Sequence, residues 1–92
     1  MISFEWDARK AKANLAKHGI SFEEAEAAFR DPFALEFLDE RFDYGEERFV
    51  LIAMVGDRCL TVIHAPRDDI CRLISARLSN KAEQDAYFEA QD

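Results

Sequence analysis

The sequence predicts an α+β domain, an antiparallel meander packed against two N-terminal helices and one C-terminal helix. Three observations carry this expectation. Helix-start and helix-stop signals occur twice before Phe33. Two apolar runs then meet at Gly56-Asp57, a two-residue hairpin signal, and a third alternating run leads into Asn80 with Glu83 three residues on, the start of a last helix. With 92 residues, 49% of them hydrophobic and eight of them phenylalanine, the chain suffices for one core, so a single domain over 1–92 is expected.

Each element follows from local chemistry. Phe4-Glu5-Trp6 reads as a short strand, and Asp7 caps a helix that runs to about Lys17 and stops at Gly19. Ala11, Leu15 and His18 share one face of it, Lys10, Asn14 and Lys17 another. Ser21 with Glu24 forms a capping box for a second helix, with Ile20 stapled onto Ala25 and a buried stripe of Phe22, Ala25, Ala28 and Phe29. Asp31-Pro32 ends that helix, because the residue before a proline leaves helical geometry. From Ala34 the period becomes strand-like through Leu35 and Phe37, and the charged stretch Asp39 to Glu47 reads as a loop.

The Gly56-Asp57 turn sets the register of Phe49–Val55 against Arg58–His64: Val55 opposes Arg58, Ala53 Leu60, Leu51 Val62, and Phe49 His64. Residues 65–69 read as the next turn and Ile70 to Arg77 as the returning strand, with Arg72 and Arg77 on opposite faces. Ala86 and Tyr87 are the expected contacts of the final helix.

Charge narrows the function. Twelve basic and nineteen acidic residues, net −7, argue against coating nucleic acid by bulk attraction and suit a basic protein partner. No apolar run reaches the roughly 18 residues that cross a bilayer. The chain carries no secretory leader pattern, so no membrane role and a cytoplasmic location are expected. Cys59 and Cys71 lie inside strands without metal-ligand spacing and read as small buried hydrophobes.

Against that acidic background, Arg67, Arg72 and Arg77 recur at five-residue intervals around one strand. A guanidinium presents a planar fork of donors that fits a phosphate oxygen pair. Surface arginines of this kind are also often solvated or paired with carboxylates.

Taken in order, Phe4-Glu5-Trp6-Asp7, Lys10, Asn14, Lys17 to Ala25, Asp31-Pro32, Asp39, Arg41, Tyr44-Gly45-Glu46, Arg48, Arg58, Arg67, Arg72, Ile74-Ser75-Ala76-Arg77, Glu83 and Tyr87 resemble the BrnT family, toxins of type II toxin–antitoxin pairs. The resemblance covers nearly the whole chain. It implies a relative of the RelE-type fold and a ribonuclease that inhibits translation without a metal or other cofactor. It also implies a hetero-oligomer with a basic, DNA-binding ribbon-helix-helix antitoxin. The sequence departs from the family where Ala65 stands for a usual threonine and Asp68 for a usual glycine. A carboxylate beside Arg67 lowers the local positive potential. A weak or inactive relative that serves as a protein-binding module is the alternative.

Metal-independent RNA cleavage requires a base for the ribose 2′-hydroxyl, cationic donors for the phosphorane, and an acid for the departing 5′-oxygen. Arg67 and Arg77 are the candidates for the phosphorane, with Lys10, Lys17 and Arg72 as RNA contacts. His18, Glu46 or His64 is the candidate for proton transfer. Each has a structural reading beside it. His18 suits a helix C-terminus. His64 suits a half-buried hydrogen bond, and Glu46 suits an ion pair with Arg48 or Arg41. Arg72 suits a pair with Asp39 or Glu36, and Lys10 and Lys17 suit a solvated face. Trp6 reads as a core anchor. Two isolated histidines make a metalloenzyme a poor fit.

Overall fold

The structure, a computed structural model, describes residues 2–41 and 45–91; Phe42, Asp43 and Tyr44, in the middle of the expected acidic loop, lie outside the described residues, as do Met1 and Asp92. The elements run β1 (Ser3–Glu5), α1 (Ala8–His18), α2 (Phe22–Glu26), a 3₁₀ turn (Ala27–Arg30), β2 (Leu35–Leu38), β3 (Phe49–Val55), β4 (Arg58–Arg67), β5 (Ile70–Leu78) and α3 (Lys81–Glu89). This is the expected α+β order. The sheet reads β1-β5-β4-β3-β2; β2 to β5 form the antiparallel meander, whereas β1 runs parallel to β5 and makes the sheet mixed. Parallel pairing needs a long crossover, and the helices and meander between β1 and β5 supply it.

The caps form as their chemistry dictates. Asp7 Oδ1 accepts from the Arg9 and Lys10 backbone N–H groups at 2.8 and 3.1 Å, and Gly19 adopts φ 72°, which costs a glycine little, as its N–H closes on the Leu15 carbonyl. Ser21 with Glu24, and Asn80 with Glu83, close capping boxes. The β3–β4 register is the one the Gly56-Asp57 turn predicts, residue for residue.

One face of the sheet packs Leu51, Ala53, Leu60, Val62, Leu73 and Ala76 against Ile20, Phe22, Ala25 and Ala28. The other packs Val50, Ile52 and Ile63 against Tyr87 of α3. These are called the helical face and the α3 face below. Asp31 joins the layers: its carboxylate accepts from Tyr87 Oη at 2.6 Å and from the Met54 N–H at 2.8 Å.

Three expectations are corrected, and α1 adds a burial pattern that its spacing left open. In α1, Leu15 is exposed and Asn14 is the buried residue. The helix lies along β5 beyond the end of β1, where the strand edge needs a donor and an acceptor rather than an apolar side chain. The Asn14 amide supplies both, donating to the Ala76 carbonyl (2.8 Å) and accepting from the Ala76 N–H (3.1 Å), and it also donates to the Ile20 carbonyl (3.0 Å). The second turn is Asp68-Asp69 alone, because β4 stays paired as far as Arg67↔Ile70. In α3, Tyr87 is buried but Ala86 is exposed.

The third correction concerns Arg72 and Arg77. Ile63 pairs with Ser75 but His64 pairs with Leu73, so Ile74 is an extra residue in β5. Such a bulge resets the alternation of side chains along the strand. Leu73 and Ala76 thereby both enter the helical face, and Arg72 and Arg77 both emerge on the α3 face.

Candidate functional site

The bulge thus brings together what simple alternation separates. Glu5, Arg72 and Ala65 form one cross-strand row, and Arg67, two residues beyond Ala65, follows on the same face. Arg67, Arg72 and Arg77 therefore line the part of the α3 face that runs along β5, and Arg77 connects it to α3 through Glu83.

Each guanidinium faces a carboxylate. Arg77 holds Glu83 through two parallel bonds, Nη1 to Oε1 at 2.7 Å and Nη2 to Oε2 at 2.8 Å. Arg72 donates to Glu46, which also lies 3.5 Å from Arg48 Nε. Arg67 is the loosest: Nη1 stands 3.7 Å from Glu5 Oε1, an oxygen buried without a hydrogen bond, and the arginine side chain is 69% exposed. Arg41 forks onto Asp39 at 2.9 and 3.0 Å, close enough to Arg77 for their charges to oppose. The partners foreseen for Arg72, Asp39 or Glu36, are replaced by Glu46; Glu46 meets Arg48 as expected and Arg72 as well.

The electrostatics follow from these pairs. The Arg72 bond, reinforced by Arg48, holds the Glu46 carboxyl below its ordinary range. Burial pushes Glu83 upward, but Arg77 and the Asn80 N–H outweigh it, so Glu83 is also lowered. The bond to Glu83 raises Arg77 further. A phosphate offers the same paired oxygens as these carboxylates, so it can take over a fork already shaped for it.

The remaining predicted residues lie elsewhere. Lys10 and Lys17 share the α1 face that carries Asn14, so they stand exposed on either side of the contact with the β5 edge, and neither makes an ion pair among the described residues. His18 ends α1 as a partly buried residue. His64 is buried on the helical face, with its ring 5.0 Å from Phe29 and 5.8 Å from Phe49. Its Nε2 is 2.6 Å from Glu36 Oε1 and its Nδ1 is 3.5 Å from Cys71 Sγ. Burial lowers the His64 pKa despite Glu36, and burial raises the Cys71 thiol to about 11, so neither is charged at neutral pH.

A hollow of about 750 Å³ opens beside His64, with apolar walls that include Phe29, Leu51 and Ile70 and with Glu36, Asp68 and Asp69 around it. Three carboxylates repel a phosphate backbone. The hollow of about 160 Å³ beside Arg77 also carries three carboxylates, Asp39, Glu40 and Glu83, but unlike the larger one it carries guanidiniums, those of Arg77 and Arg41, at which a phosphate can take a carboxylate's place.

The sequence offered Arg41 and Asp39 only as ion-pair partners, for Glu46 and Arg72, and Phe37 only as a strand residue, yet all three line that smaller hollow. Arg41 and Asp39 belong to a stretch whose composition signals a loop, and the alternation around Phe37 signals a strand without saying what its ring meets. Among the described residues no group of three or more His, Cys, Asp or Glu could hold a metal ion, and no helix is long and apolar enough to cross a membrane.

A family model described as "Ribonuclease toxin, BrnT, of type II toxin-antitoxin system" matches residues 6–83. No curated protein matches the chain.

Proposed function

The chain belongs to the BrnT family, ribonuclease toxins of type II toxin–antitoxin systems, and from that membership we propose that it cleaves RNA without a metal ion at the arginine face along β5 and is silenced there by a basic ribbon-helix-helix antitoxin. The observation that carries the reading is the bulge at Ile74, which gathers Arg67, Arg72 and Arg77 on one face.

In this scheme phosphate oxygens displace Glu46 from Arg72 and share Arg77 with Glu83, and Lys10 and Lys17 hold neighbouring phosphates at the β5 edge. Losing Arg72 removes the bond that depresses Glu46, so its basicity rises as substrate arrives. Of the three proton-transfer candidates, only Glu46 touches these guanidiniums, and it takes the 2′-hydroxyl proton. The 2′-oxygen bonds to phosphorus, Arg72 and Arg77 neutralise the phosphorane, and the bond to the 5′-oxygen breaks as that oxygen collects a proton from solvent. The products are a 2′,3′-cyclic phosphate and a free 5′-hydroxyl. Buried on the other face and bonded to Glu36, His64 acts in the core.

The ion pairs also favour one second reading, a binding module whose arginines stay neutralised. Incubating the purified protein with RNA and EDTA separates the two. Cleavage that persists in EDTA, and stops when the basic protein encoded beside the toxin is added, is the expected result. RNA left intact at every protein concentration, or cleavage that EDTA abolishes and magnesium restores, contradicts the proposal.

A further inference from the structure

Phe37 is out of place for an edge-strand residue whose neighbour Leu35 packs beneath α3. It lies on the α3 face, opposite Val50, yet it is 49% exposed. A half-exposed phenylalanine ring gives up burial that the core could have used. Its surroundings account for it. The ring borders the hollow of about 160 Å³ whose floor includes Val50 and Ile63 and whose walls include the Arg77–Glu83 and Arg41–Asp39 pairs. An apolar floor, an aromatic ring and planar guanidiniums at the sides are the components that hold an unstacked base.

The geometry also matches the reach of a nucleotide. Phe37, Val50, Ile63 and Ser75 form one cross-strand row over β2, β3, β4 and β5, and Arg77 lies two residues beyond Ser75. At about 4.8 Å per strand the row spans about 14 Å. The extended Arg77 side chain and one nucleotide, from phosphate to base, together cover that distance. Arg77 thus lines the hollow while its fork holds Glu83, the carboxylate whose place a phosphate would take.

We propose that the hollow between Phe37 and Arg77 is a nucleobase subsite, in which a base of single-stranded RNA stacks on the Phe37 ring while its phosphate engages Arg77. The inference rests on the nuclease reading for its biological meaning, but its test does not. A Phe37→Trp variant places a reporter in the hollow. Wild type supplies the baseline from Trp6, which packs edge-on against Phe22 in the core. Titration with AMP, GMP, CMP and UMP is expected to quench the new fluorescence, and ribose 5-phosphate, which has the phosphate but no base, is expected to leave it unchanged. In RNA cleavage, Phe37→Ala raises KM by about tenfold or more at a nearly constant kcat, the scale of one lost base stack, and Phe37→Trp restores it. Melting curves confirm that both variants remain folded.

Quenching by ribose 5-phosphate equal to that by nucleotides overturns the subsite, as does an unchanged KM in Phe37→Ala. Weakened antitoxin binding in Phe37→Ala with unaltered cleavage overturns it too, and marks the patch as a protein contact. If wild type cleaves no RNA, the nuclease reading fails alone, and the mononucleotide titration still decides the subsite.

Discussion

At the scale of the residue, Asn14 and His64 show how a buried polar group either braces the fold or reports on pH. Asn14 satisfies the N–H and the carbonyl of Ala76 and the carbonyl of Ile20 in a site only 7% exposed. Replacing it with alanine strands those backbone groups, and a loss of about 2–3 kcal/mol in denaturant unfolding is expected. Nothing in the spacing of α1 reveals this role, because a polar residue between two lysines reads as a solvated face. For His64, burial sets the folded pKa below 6.5. As the pH falls, the unfolded chain binds a proton that the folded chain refuses. The stabilisation is therefore complete above 6.5 and is lost as pH falls from there through the folded value. Melting temperatures measured from about pH 7.5 to about pH 5.5 should fall in wild type and change less in His64→Gln.

At the scale of the element, β5 decides the site. Its existence as a strand was legible, as were the caps of all three helices and the β3–β4 register, since each depends on residues close in sequence. The bulge was not, because an inserted residue in one strand shows only against its partner, and Ile74 is as good a strand former as its neighbours. The turn that precedes β5 carries its own strain: Asp68 sits at φ 58°, a left-handed conformation that a glycine adopts without steric penalty. Asp68→Gly should raise stability by about 0.5–1 kcal/mol in thermal or urea unfolding. It also removes a negative charge next to Arg67, so faster RNA cleavage is expected from the same variant. A slower enzyme would separate the turn from the arginine face.

At the scale of the whole molecule, an acidic protein of net charge −7 brings Arg67, Arg72 and Arg77 to one sheet face, with Arg48 joined to Arg72 through Glu46. The net charge was legible from composition, and the α+β class from element order. The carboxylate that meets each arginine was not, because Glu46, Glu83 and Glu5 come from three separate parts of the chain. Those carboxylates keep the face near neutral until a polyanion replaces them, so the account depends on the arginines meeting phosphate rather than merely bracing the fold. The most direct measurement is kcat/KM for RNA cleavage by purified wild type, Arg72→Ala and Arg77→Ala, with a melting curve for each. The account predicts a loss of about 10²-fold or more for either variant while the protein stays folded. Cleavage at the wild-type rate by both folded variants would contradict it.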